Sequence, residues 1–180
     1  MATVRLLLVT GSNRRRSTNS AALLTARAIL DGGARADVYD SLAGLPPFNP
    51  DDDFEPLPAP VVALRSAIAD ADAVVFCTPE YAGTMPGTLK NLLDWTVGGP
   101  EMYGKPATWI NVAGPGRGAG AEATLATVLG YVGARVLEVS GVRVPVPHDA
   151  IGEDGLIADE GVRASLADAL RAIVAQAGAP

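Results

Sequence analysis

Two short apolar runs, each followed at once by a turn of small residues and then a helix-forming stretch, constrain this chain more than any other feature. TVRLLLVT (residues 3–10) leads into GSNRRRSTN (11–19), and DAVVFCT (72–78) leads into PEYAGTMPGTLKNLLDW (79–95). Unbroken apolar runs of this length are strands buried on both faces, as in a parallel sheet covered by helices. In such a sheet ligands bind beyond the carboxyl ends of the strands, where strand order reverses. The loops after the first and third strands are then two walls of one crevice.

The remaining chain repeats the alternation. A helix is predicted from Ser17 or Thr18 to Asp31, stopped by Gly32 and Gly33, and a strand from Ala34 to Tyr39. Leu45 to Pro60 holds six prolines and reads as a surface loop. Helices are expected over Val61–Ala69, Pro86–Val97, Ala121–Val132 and Asp159–Gln176, and strands over Ala107–Val112 and Arg135–Val139. The reading is an α/β three-layer sandwich in one domain, residues 1–180, with a five-stranded parallel sheet in the order 2-1-3-4-5.

Composition narrows the function. A net charge of -6 argues against a nucleic-acid partner, which needs a basic footprint. Positive charge is local instead: Arg14, Arg15 and Arg16 stand together, a pattern suited to a small anion. Apolar runs too short for a bilayer and the lack of a signal-peptide pattern lead to an expected cytoplasmic location without membrane association. The one cysteine, Cys77, lies in an apolar strand and reads as an inert buried thiol. Asp51, Asp52 and Asp53 lack the alternating spacing of a calcium loop and read as solvated, so no metal is expected. No general-acid role is expected of His148.

The first loop offers hydroxyls, backbone amides and a helix amino terminus to an anion such as a monophosphate. The plainer alternative is an ordinary helix cap beside a solvated arginine run. In the second loop, Pro79 and Gly83 suit a turn that approaches a flat ligand, with Tyr81 beside it and Glu80 accepting hydrogen bonds. Alternatively Thr84, Pro86 and Gly87 merely open a helix whose Leu89, Leu92, Leu93 and Trp95 form a core or interface face. Lys90 and Asp94 have the weaker order for a helical ion pair, which leaves an intersubunit contact as the other reading.

These two motifs resemble those of the NADPH-dependent FMN reductase family of flavodoxin-like proteins. The resemblance covers nearly the whole chain. Gly11, Ser12, Arg14, Ser17 and Asn19 meet its first pattern. Pro79, Glu80, Tyr81, Pro86, Gly87, Leu89, Lys90, Asn91, Asp94 and Trp95 meet its second. The resemblance implies that Ser12, Arg14, Ser17, Thr18 and Asn19 hold the FMN phosphate, and that Pro79, Glu80, Tyr81, Ala82 and Gly83 lie along the isoalloxazine. Ala113, Gly114, Pro115 and Gly116 would approach the ring edge, with Arg117 meeting a phosphate of the pyridine nucleotide. Asn13 and Thr84 depart from the commoner residues, but each keeps a backbone amide. Arg15 and Arg16 lie outside the pattern and read as an NADPH contact or a solvated pair.

No cysteine or histidine nucleophile is expected in the crevice, so the chemistry falls to a cofactor. The resemblance implies hydride transfer from NADPH or NADH through FMN to a small-molecule acceptor: a quinone, an azo dye, a metal oxyanion or free flavin. It also implies a homodimer or homotetramer. A flavodoxin-like electron carrier is the alternative function.

Overall fold

The computed structural model describes residues 3–14, 16–31 and 33–178. Its centre is a parallel sheet whose strands run β1 (Val4–Thr10), β2 (Ala34–Tyr39), β3 (Ala73–Cys77), β4 (Pro106–Asn111), β5 (Arg135–Val136) and β6 (Val142–Arg143). The helices are α1 (Thr18–Ile29), α2 (Ala59–Asp70), α3 (Gly87–Asp94), α4 (Ala119–Tyr131) and α5 (Glu160–Ala177). The order along the sheet is β2-β1-β3-β4-β5, with β6 also paired to β4. This is the flavodoxin-like arrangement expected from the sequence.

The register puts alternate residues on opposite faces. Leu6 and Leu8 of β1, with Ala73, Val75 and Cys77 of β3, pack under α1 and α5. Leu7 and Val9, with Val74 and Phe76, pack under α2, α3 and α4. From Leu6 to Val9 and from Ala73 to Cys77 both strands are therefore apolar, which is why they were legible as runs. Parallel pairing of β1 with β3, Thr10 opposite Cys77, brings the carboxyl ends of both strands level. The loops that follow them start side by side.

The structure corrects or decides four expectations. The fifth strand is not continuous from Arg135 to Val139: it leaves the sheet after Val136, turns through Gly141 at φ 71°, and re-enters as β6 beside Ile110 and Asn111. The Leu89, Leu92, Leu93 and Trp95 face is fully buried in its own chain, so it is core and needs no second subunit to cover it. Trp95 packs edge-on against Phe48 at 5.0 Å, and its indole N–H donates to the Pro46 carbonyl at 2.8 Å. The proline-rich loop is thus pinned to α3. Lys90 and Asp94 form their ion pair within α3 at 2.6 Å, despite the weaker order.

Asp53 is also not solvated. It meets the Arg65 guanidinium at 2.6 Å in a largely buried contact, while Arg65 Nε donates to the Trp95 carbonyl at 2.9 Å. Asp51 and Asp52 are exposed and belong to a 3-10 turn capped by Asn49. Among the described residues, no helix is long and apolar enough to cross a membrane, and no group of three His, Cys, Asp or Glu side chains is placed to hold a metal ion.

Candidate functional site

A crevice of about 340 Å³ opens at the carboxyl ends of β1, β3 and β4. Its first wall is the turn between β1 and α1. Gly11 has no room for a side chain, since a Cβ there would collide with the Thr78 side chain. Its amide also donates to the Cys77 carbonyl at 2.8 Å. This glycine lets the first and second loops touch.

Beyond it the chain is folded by short hydroxyl contacts. The Ser12 amide donates to Thr10 Oγ1 and the Arg14 amide to Ser12 Oγ, each at 3.3 Å. Ser17 caps α1, its Oγ accepting the Asn19 amide at 3.2 Å. Ser12, Arg14, Ser17, Thr18 and Asn19 all line the crevice. Arg14 and Arg16 are exposed, and Arg15 lies outside the described residues. The first turn of α1 carries no acidic residue. Hydroxyls, a helix amino terminus and an adjacent guanidinium form an anion-binding donor set.

Asn19 has a second task, because its Oδ1 accepts the Cys77 thiol at 3.3 Å. Burial raises the Cys77 pKa well above that of an ordinary thiol, which keeps it protonated and unreactive. Cys77 therefore ties α1 to the end of β3 as a buried group.

The second wall is the loop after β3. Pro79, Glu80 and Tyr81 line the crevice, while Ala82 and Gly83 form the tip of a tight turn behind them. The amides and carbonyls of Tyr81 and Thr84 bond reciprocally, at 2.9 and 3.1 Å, across central residues with φ 51° at Ala82 and 77° at Gly83. Positive φ at both centres is the geometry of a type I′ turn. At Ala82 it is strained, since a Cβ disfavours the left-handed region by about 1–2 kcal/mol. The half-exposed Tyr81 ring stands at the mouth.

The destination of the Glu80 carboxylate is not evident from its own motif. Its Oε2 accepts the amides of Gly120 at 2.7 Å and Ala121 at 3.2 Å, at the amino terminus of α4. A Cβ on Gly120 would collide with the Gly83 carbonyl oxygen. Thr124 completes the seam, its Oγ1 contacting Thr84 Oγ1 at 3.1 Å and accepting the Met85 amide at 3.2 Å. Glu80 thus holds the second wall to the third.

The third wall is the glycine-rich loop from β4 to α4. Ala113 and Arg117 line the crevice; Gly114, Pro115 and Gly116 form the bend between them, with Gly116 at φ 74°. Asn111, buried at the end of β4, accepts the Ala113 amide on Oδ1 at 2.9 Å. Its Nδ2 donates to Glu122 Oε1 and to the Arg117 carbonyl. Three lining residues escaped the sequence reading: Thr78, Val112 and Gly118. Thr78 and Val112 directly follow β3 and β4, so the rule that ligands sit at strand carboxyl ends was the signal available for them.

A second depression of about 560 Å³, lined by Gly11, Asn13, Arg14, Tyr81, Pro86, Gly87 and Thr88, shares Arg14 and Tyr81 with the crevice. Its lining joins the first wall to the start of α3. His148 is exposed in a 3-10 turn and lines neither space.

Comparison with known proteins agrees with this arrangement. The family model described as NADPH-dependent FMN reductase matches residues 4–149. An NAD(P)H-dependent FMN reductase of Pseudomonas aeruginosa is 32% identical over 173 residues, covering 94% of this chain and 93% of that protein. A 2-hydroxy-1,4-benzoquinone reductase of a Burkholderia species is 30% identical over 164 residues, covering 89% and 88%. The solved structure of the flavoenzyme NAD(P)H:(acceptor) oxidoreductase FerB of Paracoccus denitrificans superposes with a TM-score of 0.82 at 27% identity, covering 97% of both chains. With its fold, its two loop motifs and the span of these matches in agreement, the chain belongs to the NADPH-dependent FMN reductase family.

Proposed function

We propose that residues 1–180 form one FMN-binding domain that passes reducing equivalents from NAD(P)H to a small-molecule acceptor. The observation that carries this reading is the donor set at the first wall: two buried serines, Ser12 and the cap residue Ser17, and Arg14 at a helix amino terminus without a carboxylate. Such a set fits a phosphate monoester and has no nucleophile of its own. FMN, when bound, supplies the hydride relay between the nicotinamide and the acceptor.

The chain's residues bind and orient. Ser12, Arg14, Ser17, Thr18 and Asn19 hold the phosphate. Pro79, Glu80, Tyr81, Ala82 and Gly83 form the rigid wall along the ring, with Glu80 acting through the backbone of α4. Ala113, Gly114, Pro115 and Gly116 present backbone atoms to the ring edge, and Arg117 faces the pyridine-nucleotide phosphate. The depression beside Tyr81 leaves room for a planar or anionic acceptor: quinones first, given the relatives' names, then azo dyes, metal oxyanions and free flavin.

The enzyme acts in the cytoplasm as a homodimer or homotetramer in this reading. Tyr103 and Tyr131, both exposed, supply apolar surface near the end of α4 for such contacts. A monomeric mass by light scattering at micromolar concentration would remove the oligomer from the proposal.

The test of function is spectroscopic. Protein reconstituted with FMN and desalted should keep the visible flavin bands, and anaerobic NADPH or NADH should bleach them within the dead time or first seconds of stopped flow. Retained flavin that does not bleach marks an electron carrier instead. Flavin lost on desalting marks free flavin as a substrate.

A further inference from the structure

We propose that Arg143 is a positioning residue for the loop between β4 and α4, and that β6 serves to present it there. The proposal rests on the assignment of residues 113–116 to the flavin ring edge. The strand order alone gives no reason for a two-residue strand after a broken fifth strand. The register supplies one, because β6 places Arg143 directly opposite Asn111, the residue that anchors the loop from below.

The Arg143 guanidinium makes a fork. Nη1 donates to the Arg117 carbonyl at 2.9 Å and Nη2 to Glu122 Oε1 at 3.1 Å. Asn111 Nδ2 donates to the same two acceptors from beneath the loop. Two donors on separate strands therefore clamp one carbonyl and one carboxylate. Between them the loop reverses through Gly118 at φ 87°, where a Cβ would sit about 2.5 Å from Asn111 Nδ2. An isolated ion pair this exposed would contribute little. Here the fork fixes the backbone of the residue whose side chain lines the crevice, and planar two-point donation is what a lysine cannot reproduce.

The clamp acts on the ring side of the site and not on the phosphate side, which makes it testable with ligands of both kinds. Full-length wild type, Arg143→Ala and Arg143→Lys are titrated with FMN and with riboflavin by flavin fluorescence, and amide exchange is followed in the flavin-free proteins. Arg143→Ala should weaken both flavins by the same factor, about tenfold, with Arg143→Lys recovering part of the loss. Exchange at the Ala113 and Arg117 amides should quicken while that at Ser12 and Arg14 stays unchanged.

Flavin affinities within about twofold of wild type, together with unchanged exchange at Ala113 and Arg117, would overturn the role. A drop confined to FMN would also overturn it, since that places the effect at the phosphate. If Arg143→Ala fails to fold, Arg143→Lys and Glu122→Gln carry the same comparison. Wild type that binds neither flavin would defeat the flavin assignment, and exchange in the flavin-free proteins would still decide the clamp.

Discussion

The crevice is flanked by two helix amino termini that differ in what already occupies them. At α1 the cap is the neutral Ser17 hydroxyl, the first turn has no acid, and Arg14 stands beside it. At α4 the cap residue is Gly118, in the left-handed region with no side chain to offer, and an acid from another loop fills the gap. Glu80 reaches over from the second wall to take the Gly120 and Ala121 amides, and Glu122 lies in the first turn.

Either terminus alone is a ready anion site. Only α1 is left for a ligand, because at α4 the protein has supplied its own carboxylate. The difference teaches that the same local motif can be left open at one wall and built into a rigid seam at the other.

The largest effect should come from removing the recognition side. The double change Ser12→Ala with Arg14→Ala takes away charge-assisted bonding of about 1.5–3 kcal/mol for the arginine alone, so FMN affinity should fall by roughly 100-fold. Calorimetric titration reads this directly, and riboflavin binding should change little. A variant that still holds FMN as wild type does would place the phosphate elsewhere.

Breaking the rigid side should show in stability. Glu80→Ala leaves the Gly120 and Ala121 amides without their carboxylate and should cost about 1–2 kcal/mol in urea unfolding. Glu80→Gln, which keeps an acceptor, should recover part of that. Equal, negligible losses for both would mean that α4 does not need this partner.

Smaller still is Ala82→Gly. Relief of left-handed strain, about 1–2 kcal/mol, outweighs the added chain entropy of glycine, about 0.5–1 kcal/mol. The variant should therefore be slightly more stable, and a lowered melting temperature would contradict the strain at that turn. Smallest is Lys90→Ala: an exposed ion pair on one helix should change stability by less than about 0.5 kcal/mol. A larger loss, growing with protein concentration in its dependence, would revive an intersubunit role.

The two walls also differ in how far they were legible in the sequence. The first wall is local: strand, glycine, hydroxyls and cap lie within ten residues of Gly11, and each bond spans only a few positions. Glu80 was legible as a loop acid but not as a partner of α4, since the amides that donate to it lie forty residues onward and depend on the packing of Gly120 against Gly83.

The same holds for the interrupted strand. VLEVSGVRV keeps the apolar character of a continuous strand, and Gly141 is the one local hint of the turn. What decides it is tertiary: Leu137 and Gly141 donate to the Ala107 and Trp109 carbonyls on either side of the excursion. The apolar face of α3 was legible as a face, whereas its cover, the Pro46 to Phe48 segment, was not. Proline-rich sequence announces irregular backbone but not where it docks.

The contrast between the two helix termini is tested most directly by titrating the wild-type protein with FMN and with riboflavin, which differ only in the phosphate. If the α1 wall is a phosphate site, FMN should bind at least roughly 100-fold more tightly, and added salt should narrow the gap by screening the exposed Arg14. Equal affinities for the two flavins would contradict the account, because a wall of serines, arginine and open helix terminus would then be contributing nothing to recognition.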